Sequence, residues 1–120
     1  MRHCLIAAMS FFLTSCAAPN TPAQTAFALE AGYDAAINIA IAYASLPRCA
    51  PAVPQPCSEP VVVRRTNTVA HQAWGTIRAA QSAVQARRAD PAGIAPAIAA
   101  AQAALAALRA ITDQMKVSGS

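Results

Sequence analysis

Apolar positions recur every three or four residues along three stretches of the chain, and each stretch predicts an amphipathic helix. In the first, Leu29, Tyr33, Ala36/Ile37, Ala40 and Ala44 make one stripe, with Glu30, Asp34 and Asn38 opposite. Thr21-Pro22-Ala23-Gln24 starts it: a threonine cap, proline at the first helical position, and glutamine three after the cap. Pro47 stops it near Leu46, because the residue before a proline avoids helical backbone. The second stripe joins Val62/Val63, Thr66, Val69/Ala70, Ala73, Ile77, Ala80 and Val84. Ser58 is its expected cap, with Glu59 and Pro60 in the favourable first turn. Arg87 and Arg88 suit its C-terminal dipole. Asp90-Pro91 opens the third stretch, where Gly93 and Pro96 predict a broken first turn. Ile94, Ile98, Ala101, Leu105, Leu108, Thr112 and Met115 then alternate by four and three.

The expected helices run from about 22–46, 59–89 and 94–116. Short connections predict an all-α, up-down-up three-helix bundle over 22–117, with a frayed tail at 118–120. The tight second connection makes helices two and three antiparallel neighbours. The third helix, nearly all Ala, Leu and Ile, is expected to be the most buried. An alternative uses the same stripes: an alanine-rich helical hairpin that forms a homo-oligomer through close seams on helices one and three.

Composition sharpens this picture. Alanine exceeds a quarter of the 120 residues, and aromatics are 5%. Alanine favours helix yet buries little area, so the core should be thin and the helices close. Charged residues are 12%, half the usual share, and the formal net charge is +4. That mild excess, without clustered Lys and Arg along a face, points to no nucleic acid partner.

The first fifteen residues follow a different grammar. Met1-Arg2-His3 is a positive start, Leu5 to Leu13 an apolar run, and Thr14-Ser15 lead to Cys16. Pro19-Asn20-Thr21-Pro22 ends the run short of the roughly 20 residues a membrane span needs. Leu13-Thr14-Ser15-Cys16 resembles the lipobox of bacterial lipoproteins. The resemblance implies cleavage after residue 15, acylation of Cys16, and a lipidated tether over 16–21. It places the chain in the bacterial envelope, facing the periplasm through N-terminal acyl chains in the membrane. Ala17, where inner-membrane lipoproteins often carry aspartate, favours the outer membrane. Ordinary secretion, cut near Ala17-Ala18, and an uncleaved anchor are the alternatives.

Export gives the remaining cysteines a meaning. Cys49 and Cys57 are an even pair in an oxidising compartment, separated by Ala50-Pro51-Ala52-Val53-Pro54-Gln55-Pro56. A disulfide closing that loop is expected to stabilise by about 2.5 kcal/mol on the loop-entropy argument. The alternative is a metal or redox pair with His71, though the spacing is not Cys-x-x-Cys.

Chemistry-bearing motifs are sparse. Glu30 and Asp34, four apart on one helix, read as a solvated face. The sequence contains neither a Gly-rich phosphate loop nor a nucleophile elbow. No catalytic residue, metal ligand or cofactor is assigned, and the expectation is a non-enzyme. His71, Trp74 and Arg78 share one side of helix two and form a candidate partner patch; Trp74 alone reads first as core or the rim of the bundle. Arg64-Arg65 fall short of a polybasic lipid-binding cluster.

Two further resemblances bear on role. Tyr43-Ala44-Ser45-Leu46-Pro47-Arg48-Cys49, with Cys57 and the Val-rich helix after it, resembles small proteins of proteobacteria and their prophages. This likeness brings no site residues. The chain is also similar to small helical envelope lipoproteins such as the alanine-rich murein lipoprotein. It departs from that protein in its internal cysteine pair, its helix-breaking prolines and the four residues after Lys116. The expected function is a lipid-anchored structural or protein-interaction module. A phage-derived envelope protein affecting lysis or superinfection, or a subunit of a secretion or transport assembly, is the alternative.

Overall fold

A computed structural model describes residues 21–86 and 91–118. Three helices fill them: α1 (Pro22–Ala44), α2 (Pro60–Gln85) and α3 (Ile94–Ser118), the last entered through a 3-10 turn at Pro91–Gly93. Each helix packs on the other two, which gives the three-helix architecture the stripes predict.

The capping box of α1 forms as expected. Thr21 Oγ1 accepts the Gln24 N–H at 3.3 Å, while Gln24 Oε1 accepts the Thr21 N–H at 2.9 Å. The helix ends at Ala44 rather than Leu46, and the Ser45 N–H and hydroxyl both donate to the Ile41 carbonyl. Pro47 sets this end, because Leu46 must already leave helical backbone.

The start of α2 departs from expectation. Ser58 does not cap; Glu59 holds the cap position with no side-chain bond of its own. The Ser58 hydroxyl instead donates to the Leu46 carbonyl at 3.0 Å, and its N–H donates to the Pro47 carbonyl at 2.8 Å. The Cys49 N–H donates back to the Ser58 carbonyl at 3.0 Å. These bonds tie the two ends of the loop together, and a buried serine consumed by them is not free to cap. The described part of α2 stops at Gln85, so Arg87, Arg88 and Asp90 lie outside the described residues.

The core forms two layers between the helices. One contains Leu29, Ile77, Ala80, Ala101 and Leu105. The next, toward the disulfide loop, contains Ala36, Ala70, Ala73 and Leu108. Leu105 thus shares a layer with Ile77, and Leu108 with Ala73, as antiparallel α2 and α3 require. Beyond these layers the buried Thr66 and Thr112 satisfy their hydroxyls on their own helices, donating to the Val62 and Arg109 carbonyls.

Two stripe assignments change. On α1, Ala44 is exposed and Tyr43 is buried. At 3.6 residues per turn, Ala44 has drifted about 60° past Leu29, while Tyr43 falls about 40° to the other side, beside Ala36. Glu30, expected on the solvent face, is half-buried and accepts a hydrogen bond from Gln81 Nε2 at 3.1 Å. α3 is not the most buried helix: Ala99, Ala100, Ala103, Ala106, Ala107 and Ala110 face outward and are exposed. Two neighbours cover only one side of it. Alanine's helix propensity and small apolar area let the other side stay bare at little cost. By length and composition α3 is apolar enough to cross a membrane, and it is the one helix among the described residues of which this is true.

Candidate functional site

The expected lipid attachment at Cys16 lies outside the described residues, as does most of its tether. The described residues begin at Thr21, the cap of α1, five residues later. The disulfide loop occupies the opposite end of the bundle, between the end of α1 and the start of α2.

Cys49 and Cys57 are joined there, with Cα atoms 5.0 Å apart. Their sulfurs are bonded to each other and are not free thiolate ligands. His71 lies eleven residues into α2, about 16 Å along the axis from Pro60, and is exposed. Among the described residues no group of three or more His, Cys, Asp or Glu is arranged to hold a metal ion. A phenol closes the loop instead: the Glu59 N–H donates to Tyr43 Oη at 3.0 Å. That oxygen does what an acidic or amide side chain does in a capping box, with the acceptor supplied by a neighbouring helix.

The seam between α1 and α2 is filled midway, with a hollow of about 100 Å³ beside Ile37, Ile41 and Val63. Tyr33 and Trp74 stack at 5.2 Å between ring centroids, inclined by 33°. The Glu30–Gln81 bond continues the same seam toward Thr21. Burial, and then the neighbouring Asp34 carboxylate, push the Tyr33 phenol above its usual pKa, so it stays neutral at physiological pH. His71, Trp74 and Arg78 do share one face of α2. Trp74 is half-buried and packs on the core layer around Ile77, whereas His71 and Arg78 are exposed. Trp74 is therefore a rim residue that leaves an edge between an exposed imidazole and an exposed guanidinium.

The seam between α1 and α3 is open. Midway along it an open groove of about 560 Å³ is lined by Thr25, Leu29, Gln102, Leu105, Arg109 and Asp113, among others. A second hollow of about 440 Å³ continues it toward the start of both helices, past Pro22, Ile94 and Ile98, sharing Thr25 and Gln102 with the first. Gly32 explains how this seam is built. A Cβ there would run into the Arg109 guanidinium and stand 3.0 Å from Leu105 Cδ2. The absent side chain lets Arg109 lie across the crease, the close-approach role of a glycine inside a helix. Asp113, on the same wall, pairs with Lys116 at 3.1 Å. Arg109 makes no ion pair among the described residues.

Sequence reasoning missed the groove, Arg109 and the capping role of Tyr43. A glycine in the middle of a long helical pattern, and one arginine in an otherwise alanine-rich helix, were the available signals. No family model, no curated protein and no solved structure matches the chain.

Proposed function

We propose that this chain is a lipid-anchored envelope module that holds a small helical bundle at the periplasmic face of a membrane, for contact with an envelope protein. The observation that carries the reading is the Leu13-Thr14-Ser15-Cys16 sequence, set directly before a helix with a firm start at Thr21. Residues 17–20 span at most about 18 Å between Cys16 and Thr21. An acylated Cys16 would hold the α1 start close to the bilayer. The disulfide loop would project from the far end, some 35 Å along α1. A bonded cysteine pair supports an oxidising compartment. Ala17 favours the outer membrane.

In this reading the bundle works by binding rather than by catalysis. Its edge of exposed His71 and Arg78 around half-buried Trp74 is the surface offered to the partner, and nucleic acid is not the partner. Cys16→Ala in the full chain should release the protein from the membrane fraction or leave it as uncleaved precursor. Intact-mass analysis of the natural protein should show an acylated Cys16 at the new N-terminus. A mature protein with an unmodified N-terminus would overturn the reading.

A further inference from the structure

We propose that the groove between α1 and α3 binds one free long-chain fatty acid, with its carboxylate on Arg109 and its chain running along the crease toward Pro22 and Ile94. The inference is independent of lipid attachment at Cys16.

Three observations carry it. First, the groove walls are apolar or neutral over most of their length. On the α1 side they are Thr25, Ala28 and Leu29, with Gly32 beneath Arg109, and none of these is charged. The lower hollow adds Pro22, Ile94 and Ile98 and carries no charge. Second, the guanidinium laid across the crease over Gly32 forms no ion pair among the described residues, and Asp113 on the same wall is paired with Lys116. A planar fork of donors suits a carboxylate, which it meets with two parallel hydrogen bonds. Third, the dimensions suit one chain. Arg109 stands eleven residues above Ile98 on α3, about 17 Å along the axis, the reach of a single extended acyl chain. Gly32 lets Arg109 and Leu105 lie close against α1, so the crease is narrow at its charged end. One unpaired cation likewise calls for a single negative charge.

The test uses residues 19–120, whose three helices cover their own core, with circular dichroism confirming the helix content of every variant. Dodecanoate labelled with 13C at the carboxyl is titrated in below its micelle concentration, and dodecanol serves as the neutral control. Saturable binding of one dodecanoate per chain is expected, with the carboxyl resonance displaced from its free position. Losing a charge-assisted pair should weaken binding about tenfold. That loss is expected both for dodecanol on the unchanged protein and for dodecanoate on Arg109→Gln. Gly32→Ala, which pushes the guanidinium off the crease, should weaken dodecanoate and leave dodecanol less affected. Non-saturable uptake, equal affinity for acid and alcohol, or undiminished dodecanoate binding by Arg109→Gln would each overturn the proposal. The acid–alcohol comparison needs no mutation, so it stands even if a variant fails to fold.

Discussion

Tyr43 shows how a single side chain can join two helices that the sequence presents as separate units. Its ring is buried at the end of α1, and its hydroxyl accepts the Glu59 N–H at the start of α2. Nothing in the local pattern points to this. The stripe through Ala40 and Ala44 is a good helical fit, and Ser58 is a favoured cap residue followed by Glu59 and Pro60. The rules fail here because Ser58 is recruited by the loop, whose carbonyls at Leu46 and Pro47 need donors. Such competition between partners is decided by tertiary placement, which local spacing does not encode. Tyr43→Phe keeps the ring and deletes the acceptor. It should lower stability by about 1 kcal/mol, the net worth of one hydrogen bond. Urea denaturation should show a lower midpoint with an unchanged slope, because the area exposed on unfolding stays the same. An unchanged midpoint would mean that water replaces the phenol at no cost.

At the level of elements, the punctuation was legible and the surroundings were not. Thr21-Pro22 and Pro47 bound α1, Pro60 begins α2, and the irregular entry at Pro91–Gly93 appears as a 3-10 turn. Each follows from a proline or a cap, whose effect is local. The prominence of α3 was misjudged for a different reason. An apolar composition says that a helix has no need of water, but the number of neighbours decides how much of it is covered. The loop between α1 and α2 was legible from Cys49 and Cys57, and its content leads to a prediction. Reducing the disulfide should cost about 2.5 kcal/mol, the chain entropy of opening an eight-residue separation. Far-UV circular dichroism should retain most of the helix signal below the lowered melting temperature. Both core layers lie on the helices and need no sulfur. Two free thiols in protein purified from its exported form would contradict the bridge itself.

For the molecule as a whole, the order and mutual packing of the helices follow from three stripes, a loop pinned by Cys49–Cys57 and a short second connection. The difference between its two α1 seams does not. One seam is filled by the Tyr33–Trp74 stack, and the other is left open where Gly32 faces Arg109. That asymmetry depends on which residues meet across parallel helices, a relation between positions 77 residues apart, Gly32 and Arg109. The same thinness of core makes Leu108 the most telling residue for the assembly. It is fully buried, and the buried residues sharing its layer are Ala36, Ala70 and Ala73, contributed by the other two helices. Those alanines have no side-chain freedom with which to refill a hole, and Tyr33, Ile37 and Val69 reach the layer only from its half-buried rim. Leu108→Ala should therefore fall toward the upper part of the range for such truncations, about 2–5 kcal/mol. A small domain holds little more stability than that, so the variant should be largely unfolded at 37 °C. The comparison that matters is with concentration. If Leu108 is enclosed by its own chain, the melting temperature of residues 19–120 should stay constant across a hundredfold dilution, and sedimentation should give a monomer. If the exposed alanines of α3 instead form a seam between copies, association would stabilise by mass action, and the melting temperature would climb with concentration. The monomer is the expected outcome, because Leu108 already meets side chains from both other helices. A stable trimer in sedimentation would reassign the outer face of α3 from bare surface to interface, and would replace the proposed role of anchored binder with that of a structural coiled coil.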